Sequence, residues 1–109
     1  MQQIMFHPSY YGPILRHQKQ TTVRWNEKIH PGSATFHFGD DENYPPMRGW
    51  VESVESYPAA RLTAEQAHAL PGTDMAVFVE DLRTNFYPSM PDDAVLTVVV
   101  FKITAPDPW

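Results

Sequence analysis

Lys19, Thr22 and Arg24 set an amine, a hydroxyl and a guanidinium within one short basic stretch, Arg16 to Trp25, "RHQKQTTVRW". The β-branched run inside it reads as a strand. In a strand, alternate residues share a face about 7 Å apart. Thr22 and Arg24 then point together, while Thr21 and Val23 point the other way. Lys19 lies just before the strand, so its long side chain can curl toward Thr22. A lysine within hydrogen-bond reach of a threonine hydroxyl is a base beside a nucleophile, provided burial or a second cation lowers the amine's proton affinity. Arg24 is such a cation. The same residues also fit an ordinary solvated strand.

Other side chains add to this set. Asp74 fits two roles, an N-cap for the helix that follows it or a carboxylate aimed at a pocket. His7 ends a first short strand and precedes Pro8, which suits a pocket mouth or a turn. Tyr10, Tyr11, Trp25 and Trp50 offer ring faces on which a base can stack, or they belong to the core. The five histidines are scattered and there is no cysteine. No helical i, i+4 histidine pair exists, so no metal site and no cofactor are expected. Asp40-Asp41-Glu42 reads as a solvated loop, and Glu80-Asp81 as the wet face of a helix.

Charge narrows the partner. The net formal charge is −5. Up to His30 there are four basic residues (Arg16, Lys19, Arg24, Lys28) against Glu27 alone, a net of +3; the rest holds four basic residues and twelve acids, a net of −8. A duplex-binding face needs many phosphate contacts, which this chain cannot supply. One basic patch in an acidic chain suits a small ligand or a short single strand. Neither double-stranded DNA nor a membrane is an expected partner. No apolar run approaches the roughly 18 residues of a membrane span, and the N-terminus lacks the pattern of a secretion signal. A soluble, cytoplasmic protein is the expectation.

The elements that must hold these groups read as follows. The 109 residues argue for one domain, residues 1–105, with a loose tail at 106–109. Gln3 to Phe6 is a first strand. Ser9 is a candidate N-cap for a short helix carrying Tyr10, Tyr11, Ile14 and Leu15, with Pro13 tolerable only in the first turn. Gln20 to Trp25 and "ATFHFG" are strands, "DDENYPPMRG" a polar loop, and "WVESVESY" a strand with a twist or bulge. "LTAEQAHALPG" reads as a helix capped by Thr63, stopped by Pro71-Gly72. Met75, Phe78, Val79, Leu82 and Phe86 fall at helical spacing after Thr73 or Asp74. Asp93 to Thr104 is a strand apolar enough for burial on both faces. The order β, α, β, β, β, α, α, β supports an α+β fold with a mostly antiparallel sheet that can close into a small barrel.

These residues also resemble a known family. His17-x-Lys19-x-x-Thr22-x-Arg24 after a short helix is similar to the G-x-K-x-x-[E/T]-x-R signature of the ASCH domain, a member of the PUA-like β-barrel superfamily. "SYYGPILRHQKQTTVR" resembles the family's helix-then-strand opening. "LTAEQAHALPGTDMAVFVEDLRTNFYP" resembles its paired helices ending in Tyr-Pro, and "VLTVVVFKI" its closing strand. The resemblance implies a small PUA-like β-barrel of mostly antiparallel strands with two or three short helices. Within the family the chain is most similar to small bacterial N4-acetylcytidine amidohydrolases, which carry Thr at the position of Thr22. That likeness implies an amidohydrolase with Thr22 as nucleophile, Lys19 as base and Arg24 as the motif arginine on the substrate; His7 and Tyr10, from their own positions, are the further candidates for substrate contact. It implies no metal. The family's glutamate falls where this chain reads Pro71-Gly72; Asp74 is the nearest substitute, and His17 replaces the motif glycine. The alternative that the family carries is an RNA-binding or RNA-cleaving module for short single-stranded RNA.

Overall fold

The computed structural model describes residues 1–40 and 42–104. The expected tail, 106–109, and Asp41 lie outside the described residues. Five strands, β1 (Gln2–Phe6), β2 (Thr21–Trp25), β3 (Gly32–Phe38), β4 (Met47–Pro58) and β5 (Val95–Ile103), form one sheet in the order β1-β3-β4-β5-β2. Two α-helices accompany them, α1 (Tyr11–Leu15) and α2 (Met75–Asn85), with 3-10 turns at Pro8–Tyr10 and Ala59–Arg61. The fold class is α+β. Among the described residues no helix is long and apolar enough to cross a membrane.

The sheet is mixed. β1 pairs with β3 in parallel, Ile4 opposite Phe36 and Phe6 opposite Phe38. β3 pairs with β4 antiparallel, Ala34 opposite Gly49 and Phe36 opposite Met47. The first pair is parallel, within an expectation of mostly antiparallel strands. It arises because α1 and β2 intervene between β1 and β3, giving the crossover length that parallel pairing needs.

The chain packs as two compact units. The first takes Met1–Gln20, Ile29–Val54 and the chain from Val100 onward. Its strands alternate cleanly: Ile4 and Phe6, Ala34, Phe36 and Phe38, and Val51 face inward. The rings of Phe6, Phe36 and Phe101 meet with centroids 5.1–5.9 Å apart. Truncating a fully buried ring such as Phe36 costs about 3–5 kcal/mol. Gly49 lets these layers close: a Cβ there would sit 2.1 Å from a Phe36 ring carbon and 2.5 Å from the Lys102 carbonyl oxygen. That packing explains why β4 starts at Met47, inside the stretch expected to be loop.

The second unit takes Thr21–Lys28 and Glu55–Val99. Its core is Ala59, Leu62, Ala67, Met90, Ala94, Leu96 and Val98, and Met75, Phe78, Val79 and Leu82 of α2 pack against it. This is the expected i, i+3, i+4, i+7 stripe. Phe86 does not continue it. The helix ends at Asn85, Phe86 leaves helical geometry at φ −131°, and its ring is exposed. β4 loses its alternation from Ser53 onward; its residues up to Val54 belong to the first unit and those from Glu55 to the second.

Two sequence expectations fail for local reasons. The stretch from Leu62 to Gly72 forms its cap but no α-helix. Thr63 and Gln66 exchange reciprocal side-chain-to-backbone bonds of 3.1 Å. His68 then turns left-handed at φ +56°, and the chain leaves after one turn. One turn cannot recover the cost of helix nucleation, so the segment stays as linked turns. Ser9 is likewise not a helix N-cap. Its backbone N–H donates to His7 Nδ1 at 3.1 Å, so His7 caps the 3-10 turn, and α1 begins only at Tyr11. Pro13 lies in the first turn of α1, where it removes no helical bond.

Candidate functional site

β2 inverts the usual burial of a strand. Val23 and Trp25 are half-buried, whereas Thr22 and Arg24 are only 8% and 9% exposed. The polar face is the more enclosed one. Apart from this pair, the fully buried side chains of the described residues are apolar or glycine. Burying a cation and a hydroxyl costs several kcal/mol of desolvation unless they are bonded.

They are bonded, in a chain. Arg24 Nε donates to Thr22 Oγ1 at 2.9 Å, as alternation predicts for residues two apart. Arg24 Nη1 donates to Glu27 Oε1 at 3.0 Å. The hydroxyl of Tyr87 donates to the other oxygen, Glu27 Oε2. Local backbone makes the second link possible. Asn26 sits left-handed at φ +55°, a conformation asparagine tolerates better than most residues, and it folds Glu27 back under Arg24.

Tyr87 is fixed from its own side. Its N–H donates to the carbonyls of Leu82 and Arg83, closing the end of α2. Its ring meets Trp25 edge to face, centroids 5.8 Å apart at 78°. Burial, then the hydrogen bond to Glu27 and that carboxylate's charge, push the Tyr87 phenol up to about 12. It therefore stays a donor to Glu27 throughout the physiological range.

A guanidinium held against a hydroxyl oxygen favours the alkoxide form of that hydroxyl. At an effective dielectric of about 20, a unit charge 3 Å away contributes roughly 5 kcal/mol, which Glu27 offsets in part. The arrangement suits Thr22 as a nucleophile. Arg24, expected as a substrate contact, holds Thr22 and Glu27 in this structure.

The remaining expected residues are placed as follows. Lys19 belongs to the first unit, between α1 and β2; its ammonium stands 4.8 Å over the ring of Tyr10. That ring is half-buried and meets Phe6 edge to face. His7 is exposed and spends Nδ1 on the Ser9 backbone, with Ser9 Oγ 2.8 Å away. Asp74 takes the first of its two expected roles. Its Oδ1 accepts from the N–H groups of Ala76 and Val77, at 3.0 and 3.3 Å, and so caps α2. His17 is exposed and left-handed, φ +58°. That is a conformation glycine adopts freely, which explains the glycine of the resembled motif at this position. Among the described residues, no three His, Asp or Glu side chains gather as a metal-binding group.

Glu27 was missed as a site residue. The available signals were its place as the single acid among the early basic residues and the Tyr87-Pro88 landmark. Neither says that the two meet, since sixty positions separate them.

No family model matches the chain, and no curated protein does. Solved structures do. An ASCH domain from Lactobacillus crispatus superposes with TM-score 0.65 at 14% identity, over 94% of this chain and 79% of that one. A protein from Enterococcus faecalis carrying the family designation DUF984 gives TM-score 0.72 at 14% identity, over 95% and 76%. An ASCH protein from Zymomonas mobilis, solved as a serine-to-alanine mutant, gives 0.63 at 10% identity, over 96% and 71%. At these identities the likeness establishes the fold: the chain has the fold of the ASCH domain.

Proposed function

We propose that this chain is a metal-independent amidohydrolase that removes the acetyl group from N4-acetylcytidine or a related acetylated cytosine nucleoside. The observation that carries the reading is the buried Thr22 hydroxyl held at 2.9 Å by Arg24. The ASCH fold and the Lys19, Thr22, Arg24 spacing support it. Thr22 Oγ attacks the acetyl carbonyl and passes its proton to Lys19. Collapse of the tetrahedral intermediate breaks the amide bond, and the same proton leaves with the exocyclic amine of cytidine. Water, deprotonated by Lys19, then attacks the acetyl ester on Thr22; the ester C–O bond breaks, the proton on Lys19 returns to Thr22 Oγ, and acetate leaves. His7 and Tyr10 contact the nucleoside. The substrate carries no phosphate, in keeping with a chain of net charge −5.

The test is cytidine release from N4-acetylcytidine. Wild type turns over, and Thr22→Ala and Lys19→Ala each abolish it. Absence of turnover by wild type at high enzyme concentration removes the reading. Asp74→Ser separates the cap from the carboxylate, because serine keeps the cap. Unchanged turnover assigns Asp74 to α2 alone; loss of turnover at unchanged stability makes Asp74 the group that orients Lys19.

A second reading is a binding or cleaving module for short single-stranded RNA, favoured by exposed Arg16 and His17 beside a lysine seated on a tyrosine ring. It requires affinity that falls steeply with salt. No binding at low salt excludes it.

A further inference from the structure

We propose that Glu27 and Tyr87 are positioning residues for the Thr22 nucleophile, acting through Arg24; this rests on the amidohydrolase reading. A guanidinium has five N–H donors in a rigid fork, and which of them faces a neighbour depends on how the rest are held. Here Glu27 holds Nη1, and Nε is thereby left on Thr22 Oγ1. Glu27 in turn has both oxygens engaged, one by Arg24 and one by Tyr87. Swinging its carboxylate into water breaks two bonds together. Its side chain keeps 35% of its surface exposed, so solvation alone would not pin it.

Arg24 Nε ends on the Thr22 hydroxyl. A clamp serving only the fold needs no buried threonine at its end: Val23 and Trp25 already pack against the apolar core from the other face of β2, and an unliganded Thr22 and Arg24 would be cheaper in water. The inverted burial is what a nucleophile requires: a fixed rotamer, a fixed cation and little bulk water. Tyr87 anchors the far end through its ring contact with Trp25 and its bonds to α2. The landmark tyrosine thus connects the end of α2 to the reacting hydroxyl without touching substrate.

The experiment pairs kinetics with NMR. Glu27→Ala, Glu27→Gln, Glu27→Asp and Tyr87→Phe are compared with wild type and with Glu80→Ala, an exposed glutamate of the same unit. Misplacement of a reacting group by about 1 Å costs on the order of 100-fold. Glu27→Ala is therefore expected to lower kcat by about that factor with KM unchanged, Tyr87→Phe by less, and Glu27→Asp to restore part of the loss. Glu27→Gln keeps the shape and one acceptor, and serves if the alanine variant does not fold. Independently of turnover, the Arg24 Nε–H resonance exchanges slowly with water in wild type and faster in Glu27→Ala or Glu27→Gln. Unchanged exchange, or unchanged kcat in an active protein, overturns the proposal. Inactive wild type whose Arg24 exchange still responds to Glu27 identifies failure of the amidohydrolase reading, and reduces the pair to a structural clamp.

Discussion

Arg24 and Arg83 each pair with a glutamate three residues away, Glu27 and Glu80, within the same unit. Arg83 Nε donates to the Met90 carbonyl at 2.9 Å, and its other nitrogens meet Glu80 and, at 3.2 Å, Asp92. Arg24 Nε donates to a buried threonine hydroxyl, and its glutamate is held in turn by a tyrosine. Glu80 is 60% exposed and Asp92 fully so, whereas Arg24 is nearly enclosed. The residue types and spacing are alike. What separates a loop staple from a candidate site is the atom at the end of the fork and the water around it.

Arg24→Met breaks the comparison most severely. It leaves Thr22 and Glu27 without their cation, and is expected to lower turnover at least 100-fold and stability by about 2 kcal/mol. Turnover and urea unfolding measure the two effects. Arg83→Met removes the corresponding clamp between α2 and the loop after it. Its exposed partners limit the loss to about 1 kcal/mol, with kcat and KM unchanged. Equal kinetic losses in both variants would erase the distinction between the two arginines.

The smallest effect lies in the alkaline range. Tyr57 and Tyr87 each donate to a glutamate, Glu55 and Glu27. Both phenols are raised, Tyr57 first by its hydrogen bond to Glu55 and Tyr87 first by burial, to about 12. A phenol that holds its proton more tightly when folded stabilises the fold below its unfolded value of about 10. That contribution is lost as pH climbs from there through the folded value of about 12. Unfolding midpoints should fall over this window in wild type and fall less in Tyr87→Phe. Phenolate absorbance in wild type should show a late-titrating component that Tyr87→Phe removes.

Much of the fold was legible where physics is local. Of the stripe read as Met75, Phe78, Val79, Leu82 and Phe86, all but Phe86 appear on α2, and of the two caps read, Thr73 or Asp74, Asp74 is the one that forms. Alternation placed Thr22 and Arg24 on one face, and they meet there. Reading failed where a local signal competed with context. Thr63 and Gln66 do form the capping box, yet the chain turns left-handed at His68 before a helix can extend. The polar-looking stretch at Met47 became strand because Gly49 fits beneath Phe36.

By itself, then, the sequence determined which residues share a face, that α2 starts beside Thr73 and Asp74, and that an amine, a hydroxyl and a guanidinium stand close along the chain. Periodicity encodes those facts because neighbours in sequence are held by fixed backbone geometry. Tertiary structure alone decided that β1 lies parallel to β3, that the polar face of β2 is the buried one, and that Tyr87 reaches Glu27 across sixty positions. Such pairings depend on chain closure and on competition for burial across the whole unit, and no local pattern of residues records the outcome of that competition.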